Sequence, residues 1–477
     1  MKIEISMEQI LFDPADPKAA LGQLPHAAAV FALYGAESHA EPYIGRTPNL
    51  RARLERLLQP SEKHPRRLQL AGRVRRIAWR LTGSEFESLL AQFSLLEEIY
   101  GAKTLERMHL RMPAFIRYLG GNPYPRIVVT NRPSQREADW AYGPFPSRAA
   151  AERYAEEALK LFLLRRCTDD LNPDPSHPGC VYSEMKMCLA PCYQGCTDER
   201  YAEEAEAVEG FLATRGENRL VTLRTDRDAA SANLEFESAA AIHAQVQRIE
   251  QVRALASELV RPLSQLRAVI LQASAQPDEV AVFLFEDGRL RGPAAFSTIG
   301  MRIQNEQSGS SSLFAHPMII EAVPEQPEIR TQETGNRDQR INDEGAASGS
   351  AKHNAEHEVS GHDFSRAEIG PHLAGASAPE GNAASPRLAR GLLESRMESA
   401  LAVLTQPESA HTPTLRQGHL ALLKRWYYRP ELKRTGEIFF PDEHGHWPIK
   451  ALLRGAGRVA AGMLKLSQPP QTRAPSR

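Results

Sequence analysis

The sequence lacks any long uninterrupted apolar run, and this absence limits where the chain can work. No stretch of its 477 residues is both apolar enough and long enough to span a bilayer. The opening residues, MKIEISMEQILFDPADPK, contain acids and no small-residue cleavage site, so they do not read as a secretory signal. From these absences we expect a soluble cytoplasmic protein without a membrane partner.

The chain also has almost no net charge, because 58 basic residues stand against 59 acidic ones and leave a formal charge of -1. The total therefore indicates no polyanionic partner. The distribution is uneven, however, because many bases between residues 46 and 80 are opposed only by Glu55 and Glu62. This cluster predicts a nucleic-acid surface, with a solvated basic face as the alternative. The candidate DNA-binding residues are Arg51, Arg56, Arg73 and Arg75.

Cysteine is scarce, and its placement is informative. All five cysteines of the chain fall within one short segment, which is unusual for incidental core residues. In a cytosolic protein such clustering favours a metal over disulfides. The spacing lacks the paired C-x-x-C knuckles typical of zinc, and four thiolates suit either zinc or an iron-sulphur cluster. The cysteines are Cys167, Cys180, Cys188, Cys192 and Cys196.

Hydrophobic periodicity predicts an α+β chain of several regions. Short strands at 28–34 and 42–45 precede a helix across PNLRARLERLL, and RVRRIAWRLTG alternates like a strand. Ser84 is then a predicted N-cap for the helix in SEFESLLAQFSLLEEIYG. The first predicted regions are a small mixed α/β domain over 1–130, a mainly helical cysteine-rich region over 140–200 and a helical hairpin over 201–260. A small β-containing segment follows over 261–324, with a turn at Asp287 and Gly288. The last two regions are a disordered linker over 325–386 and a helical carboxy-terminal region over 387–477.

Four stretches, in this order, resemble the UvrC family of bacterial nucleotide excision repair. AAVFALYGAESHAEPYIGRTPNLRARLERLL resembles its amino-terminal GIY-YIG endonuclease domain, and WAYGPFPSRAAAERYAEEALKLFLLRRC resembles the segment before its cysteines. GCVYSEMKMCLAPCYQG resembles its cysteine motif, and LEFESAAAIHAQVQRIEQV resembles the UVR hairpin. The resemblance covers about residues 25–260, with a weaker continuation to 298. The family's second nuclease domain and its helix-hairpin-helix clamps are not recognisable, so we expect a layout comparable to the short homologues called Cho.

The resemblance implies catalytic roles for three residues. Tyr43 matches the second motif tyrosine, near the attacking water, and Arg46 matches the basic position after YIG. Arg53 matches the helix arginine that contacts the phosphate. As an active enzyme, the resemblance implies, this chain would hydrolyse one phosphodiester on the 3′ side of a lesion, with a divalent metal such as Mg²⁺ or Mn²⁺.

Three positions depart from the family pattern. Phe31 occupies the first tyrosine and lacks its hydroxyl. Gln92 replaces the metal-binding glutamate with a neutral amide, although Mg²⁺ is normally held by carboxylate oxygen. Ile116 occupies the position of an asparagine. We therefore expect a domain that keeps its fold and its phosphate-facing arginines while its cutting activity is lost or much reduced.

The resemblance also implies a cofactor and partners. UvrC-type proteins carry a [4Fe-4S] cluster on cysteines that match Cys167, Cys180, Cys188 and Cys192, and zinc stays the alternative. Residues 234–252 match the hairpin that meets UvrB, which would bring UvrA in indirectly. The family's Arg-Asp pair in this hairpin is His243-Ala244 here, so the polar part of that contact is in question.

These observations predict a UvrC-like excinuclease homologue that binds double-stranded DNA in repair. Two alternatives stay open: a non-catalytic accessory factor, and a structure-specific nuclease that acts without UvrB.

Overall fold

The computed structural model describes residues 7–37, 40–58, 70–168, 171–301, 386–405 and 412–462. These residues form a mixture of helices and antiparallel sheets, which confirms the predicted α+β class. The predicted linker over 325–386 lies outside the described residues except for Pro386. No helix in the described part is both long and apolar enough to cross a membrane.

The amino-terminal module, residues 7–107, is an antiparallel sheet with helices on both faces. Its elements are β1 (Glu8–Leu11), α1 (Pro17–Gly22), β2 (Ala29–Gly35), β3 (Tyr43–Thr47), α2 (Leu50–Leu58), β4 (Val74–Leu81), α3 (Glu85–Tyr100) and α4 (Thr104–Arg107). The strand order is β1-β4-β2-β3. Side chains alternate along β2, so Phe31 and Leu33 pack against α1 and α2, whereas Val30 and Ala32 pack against α3.

Helix α3 begins as the sequence predicts. The Oγ of Ser84 accepts a hydrogen bond from the Glu87 amide at 3.1 Å, which satisfies one of the free donors of the first turn. Both sides of the helix are buried, because Ala91 and Leu95 contact the amino-terminal sheet while Phe93 belongs to a second core. Helix α3 therefore joins two parts of the protein.

A second sheet with the order β6-β5-β7-β8 supports the middle of the chain. Residues 114–130, placed by the sequence in the first domain, pair here with β7 and not with β1–β4. Helix α5 covers this sheet, and α8 and α9 pack together as a helical hairpin with a turn at Leu234. The elements are β5 (Ala114–Tyr118), β6 (Ile127–Thr130), β7 (Ala141–Phe145), α5 (Arg148–Leu159), α6 (Val181–Glu184), α7 (Asp198–Ala213), α8 (Glu217–Ala232), α9 (Phe236–Ala254) and β8 (Arg261–Pro262).

A third sheet with the order β11-β10-β9-β12 is formed by strands from two distant parts of the sequence. The β10–β11 hairpin turns at Asp287 and Gly288, both at positive φ, as the Asp-Gly signal predicts. The short strand β12 lies in a region predicted as helical and pairs with β9. The elements are β9 (Ala268–Ala273), β10 (Glu279–Glu286), β11 (Arg289–Ser297), α10 (Pro386–Leu404), α11 (Pro413–Tyr427), β12 (Glu437–Phe439) and α12 (Ile449–Ala460).

Helix α11 packs closely against α3. A Cβ added at Gly418 would lie 2.1 Å from the Phe93 ring carbon Cζ, so only glycine allows this approach. The next residue, His419, is fully buried, and its Nδ1 accepts a hydrogen bond from the Leu290 amide of β11 at 2.9 Å. Helix α11 is thereby held against both the amino-terminal module and the third sheet.

We expect Gly418→Ala to lower the free energy of unfolding by about 1–3 kcal/mol, because overpacking at the α3–α11 contact exceeds the gain in helix propensity. Chemical denaturation of the full chain measures the change.

The matched control is Gly391→Ala in α10, where an added Cβ meets nothing within 4 Å. There, helix propensity alone should raise the stability by up to about 1 kcal/mol. Equal effects of the two substitutions would show that the close contact at Gly418 does not stabilise the fold.

Candidate functional site

The YIG motif and the strand before it form one antiparallel pair. Phe31 of β2 lies opposite Gly45 of β3, and Leu33 lies opposite Tyr43. A Cβ added at Gly45 would stand 2.7 Å from Cζ of the Phe31 ring, which is itself 1% exposed. The motif glycine therefore makes room for the aromatic ring at position 31. The rings of Phe31 and Tyr43 have centroids 6.1 Å apart.

The sheet divides the predicted catalytic residues between its two faces. Tyr43 shares the face of Phe31, against which α2 packs with Arg53 in its middle. Arg46 pairs with Val30 and so lies on the opposite face, toward α3. Within the described residues, the half-buried Arg53 guanidinium has no hydrogen-bond or ion-pair partner. It is thus free to contact an anion.

Ile116 is not brought together with these residues. It lies in β5 of the second sheet, opposite Val129 on one side and Tyr142 on the other. Its side chain is fully buried in the core of the middle region. At this position the structure shows core packing.

The predicted DNA-binding arginines have different surroundings. Arg51 donates from Nε to the Leu24 carbonyl at 2.6 Å and from Nη2 to the Gly22 carbonyl, so it ties α2 to the end of α1. Arg75 donates to the carbonyls of Gly72 and Val74 at 2.9 and 2.8 Å. Arg56 donates to a carbonyl of its own helix. Arg73 is exposed, and no described residue accepts a hydrogen bond from its side chain. The structure leaves Arg56 and Arg73 the more available for a phosphate.

Two acids in the first turn of α3 meet arginines of the sheet. Arg80 lies 3.7 Å from the buried Glu87, whose carboxylate also accepts from the Gly83 amide, and burial raises the pKa of Glu87. Arg46 lies 3.4 Å from Glu85. The sequence SEFES predicts that these acids lie in the first helical turn, but it indicates no role for them.

Glu85 also binds Arg429, which follows α11. Its two carboxylate oxygens accept from Nη1 and Nη2 of Arg429 at 2.6 and 2.7 Å. This bidentate contact is the first cause that holds the pKa of Glu85 below its ordinary value. No local pattern in the sequence could have paired these residues.

The aromatic residues at the carboxy-terminal end of α11 pack against the rest of the protein. Trp426 is 3% exposed and its Nε1 donates to the Thr435 carbonyl at 2.9 Å. The Tyr428 hydroxyl donates to the Pro144 carbonyl at 2.7 Å. These contacts show that Trp426 and Tyr428 lie at the edge of the core.

Three cysteines affect the pKa of a fourth, Cys188. Burial raises the pKa of the Cys188 thiol to about 11, and the neighbouring Cys167, Cys180 and Cys192 raise it further. Burial is also the first cause that raises the pKa of Cys192, with contributions from Cys180 and Cys167. Cys196 interacts with only one other cysteine, Cys192, and with Asp198 and Arg200. Cys188 is therefore within electrostatic reach of Cys167, Cys180 and Cys192, and the assignment of these four residues to a cluster stays a prediction.

A buried arginine adjoins this group. Arg165 is 1% exposed and lies with Nη1 3.6 Å from Sγ of Cys167, while its Nε donates to the Tyr124 carbonyl. The part of the chain that the structure describes contains no group of three or more His, Cys, Asp or Glu side chains arranged to hold a single metal ion.

The turn of the helical hairpin exposes apolar side chains. Leu234 is 72% exposed and Phe236 is 65% exposed, whereas Val246 and Ile249 farther along α9 are buried in the core of the middle region. Only the base of the hairpin thus serves intramolecular packing. His243, in place of the family's arginine, hydrogen-bonds Gln247 on the same helix.

Residues 114–211 match the family model of the UvrC/Cho excinuclease middle domain. This range begins at β5, includes the whole cysteine region and ends within α7. This segment is therefore similar to the middle domain of excinuclease subunits.

Individual relatives extend the similarity. The UvrABC system protein C of Alcanivorax borkumensis is 29% identical over 281 residues, which cover 59% of this chain and 46% of the relative. The protein of the same name from Carboxydothermus hydrogenoformans is 26% identical over 312 residues, covering 65% and 50%. One from Escherichia coli is 27% identical over 241 residues, covering 50% and 39%. The chain is therefore similar to UvrABC system protein C over half or more of its own length.

The similarity has limits in length and in known structures. The chain spans half or less of the length of each of these relatives. No solved structure matches it.

We expect Gly45→Ala to lower the free energy of unfolding by about 1–3 kcal/mol, because the buried Phe31 ring has no space to move away from the new methyl group. Thermal or denaturant unfolding monitors the loss. Gly72→Ala, at an exposed turn where an added Cβ meets nothing within 4 Å, is the control and should be nearly neutral. A neutral Gly45→Ala would contradict the packing of Phe31 over Gly45.

Proposed function

We propose that this chain is a UvrC-like protein of nucleotide excision repair that works in the cytoplasm and binds double-stranded DNA through a GIY-YIG-type amino-terminal module. The match of residues 114–211 to the excinuclease middle domain is the observation that carries the proposal. The module preceding it supports DNA binding, since Arg53 and the exposed Arg73 are arginines without described partners. Such side chains suit phosphate contacts.

The candidate active site supports impaired incision. Position 31 presents a phenyl ring buried over Gly45, which has no hydroxyl to orient or deprotonate a water molecule. Tyr43 and Arg53 remain on that side of the sheet. They can position a phosphodiester without supplying a complete set of catalytic groups.

The residues near Gln92 do not fit a catalytic divalent metal. The Gln92 side chain offers a neutral amide where a hard cation favours carboxylate. On the same helix, Glu85 is bound by Arg429 and Arg46, and Glu87 is buried beside Arg80. We therefore derive no metal-dependent step for the native chain.

We expect the native protein to bind a duplex carrying a bulky adduct without cutting it in Mg²⁺ or Mn²⁺. Gln92→Glu should increase metal-dependent incision, because it restores the carboxylate. Adding Arg53→Ala to that variant should reduce incision by about 10²-fold, the usual size of one lost electrostatic group. Cleavage of end-labelled duplex, with and without UvrA and UvrB, measures this.

Binding of the same duplex by each variant is the control that separates chemistry from affinity. Incision by the native protein that Arg53→Ala abolishes would show a working nuclease and contradict our interpretation of Phe31 and Gln92. If that incision needed no UvrB, the chain would be an independent structure-specific nuclease. Binding without incision in every variant would identify an accessory factor.

We further propose that Cys167, Cys180, Cys188 and Cys192 hold a [4Fe-4S] cluster. Cys167, Cys180 and Cys192 all contribute to raising the pKa of Cys188, whereas Cys196 does not, which supports this set of four. Thiolates are the ligands of such clusters, and the buried Arg165 would offset part of their negative charge. When bound, the cluster would tie the loops that carry these cysteines to one another.

Protein purified without oxygen should show broad visible absorbance that Cys188→Ala removes, because the substitution deletes a ligand at the centre of the group. Cys196→Ala is the matched control and should keep the absorbance. Iron and zinc contents are measured in parallel. Colourless native protein with stoichiometric zinc would reject the iron-sulphur assignment in favour of a zinc site.

UvrB is the proposed protein partner, reached through residues 234–252. The exposed Leu234 and Phe236 at the turn of the α8–α9 hairpin support this surface, since apolar side chains of this size are normally covered. His243 and Ala244 cannot reproduce the family's charged pair, so the contact would depend on apolar burial. UvrA would be reached only through UvrB.

A further inference from the structure

Three arginines from distant parts of the chain surround one carboxylate at the first turn of α3. Glu85 accepts two short hydrogen bonds from Arg429, and Arg46 of β3 lies 3.4 Å from the same carboxylate. Arg425, one helical turn before Arg429, is close enough for the charges of Arg46 and Arg429 to act on its guanidinium. Three positive charges thus face one negative charge.

A docking salt bridge explains only part of this arrangement. The bidentate Glu85–Arg429 pair is sufficient to attach the end of α11 to α3. It explains neither Arg425, which makes no hydrogen bond or ion pair with any described residue, nor the longer and weaker contact of Arg46. Two positive charges therefore remain without compensation in the described structure.

The cluster is accessible and held in place. The side chains of Arg46 and Arg429 are 30% and 29% exposed, and Arg425 is exposed as well. Their supports are rigid, because Arg46 belongs to β3 while α11 is fixed through Gly418 and through Trp426, whose ring centroid lies 5.3 Å from that of Phe86 on α3. Arginines fixed in this way lose little conformational freedom when they bind an anion.

We propose that Arg425 and Arg429 complete, with Arg46, a site for the phosphate backbone of double-stranded DNA. The carboxy-terminal helix α11 thereby extends the DNA-contacting surface of the amino-terminal module beyond the region that matches the family model. Glu85 holds the guanidinium of Arg429 and competes with the phosphate for it. The inference rests on the DNA binding proposed above, and it adds a source of affinity outside the motif residues.

The test is the salt dependence of duplex binding by the full-length protein. Replacing Arg425 by glutamine should weaken binding at every salt concentration, because one phosphate contact is lost. The slope of log affinity against log salt concentration should also fall in magnitude by about 0.9, the value for one phosphate contact. No described side-chain contact is broken by the change, so folding should be unaffected.

Arg454→Gln is the matched control. Arg454 is an exposed arginine of α12 whose Nε donates only to the Lys450 carbonyl of its own helix. Its replacement removes the same charge from the same region and should leave the salt slope unchanged. An equal loss in both variants would indicate a general charge effect and would overturn the site.

Glu85→Gln gives a change of opposite sign. It removes the acid that competes with phosphate, so duplex affinity and the magnitude of the salt slope should both rise, even if thermal unfolding shows a less stable protein. Unchanged or weaker binding in a folded Glu85→Gln variant would contradict the role given to Glu85.

The two levels of proposal fail differently. If the native protein binds duplex and Arg425→Gln keeps its affinity and slope, the site at Arg425 is wrong and the proposed DNA-binding function stands. If the native protein does not bind duplex, the proposed function itself is wrong. Competition by inorganic phosphate separates the two sources of the anion. If inorganic phosphate displaces the duplex and chloride at the same salt concentration does not, the site binds free phosphate. That result would overturn the assignment to the DNA backbone.

Discussion

Helix α11 approaches α3 so closely at Gly418 and Phe93 that a residue with a Cβ does not fit at position 418. This contact joins the carboxy-terminal region to the amino-terminal module. The opposite side of α3 packs through Ala91 and Leu95 against the strand that carries Phe31. Helix α3 is consequently shared between two cores, and its position determines both. A change at either surface would be transmitted to the other because packed interiors have little free volume.

This sharing determines the electrostatics of the candidate site. With the body of α3 buried, its first turn presents Glu85 and Glu87 to arginines of the sheet and to Arg429. Acids near a helix amino terminus are favoured by the backbone dipole, which offsets part of the cost of burying Glu87. The same acids are thereby engaged and do not replace the carboxylate that Gln92 lacks. These engaged acids support the proposal that the site binds phosphate without hydrolysing it.

The middle region is organised on a different principle. Its cysteines lie in loops and short helical turns, and the buried Arg165 donates to Sγ of Cys167. The Tyr201 hydroxyl accepts from the Arg165 amide and donates to the Pro125 carbonyl, which connects the cysteine loop to the second sheet. A region of this kind depends on its buried polar contacts, because unpaired polar groups in a core are costly. The similarity to the UvrC family is carried by this region.

The sequence by itself determined the local elements, the grouping of the cysteines and the relationship to the UvrC family. Strands β2 and β3, the Ser84 cap and the Asp287–Gly288 turn all follow from patterns within a few residues, where periodicity and capping operate. Tertiary structure decided what those patterns leave open. It placed Ile116 in a separate sheet, gave Arg51 and Trp426 structural contacts, and joined Glu85 to Arg429 across 344 positions of the sequence. Such pairings depend on which surfaces meet when distant segments pack, and no local pattern encodes that meeting.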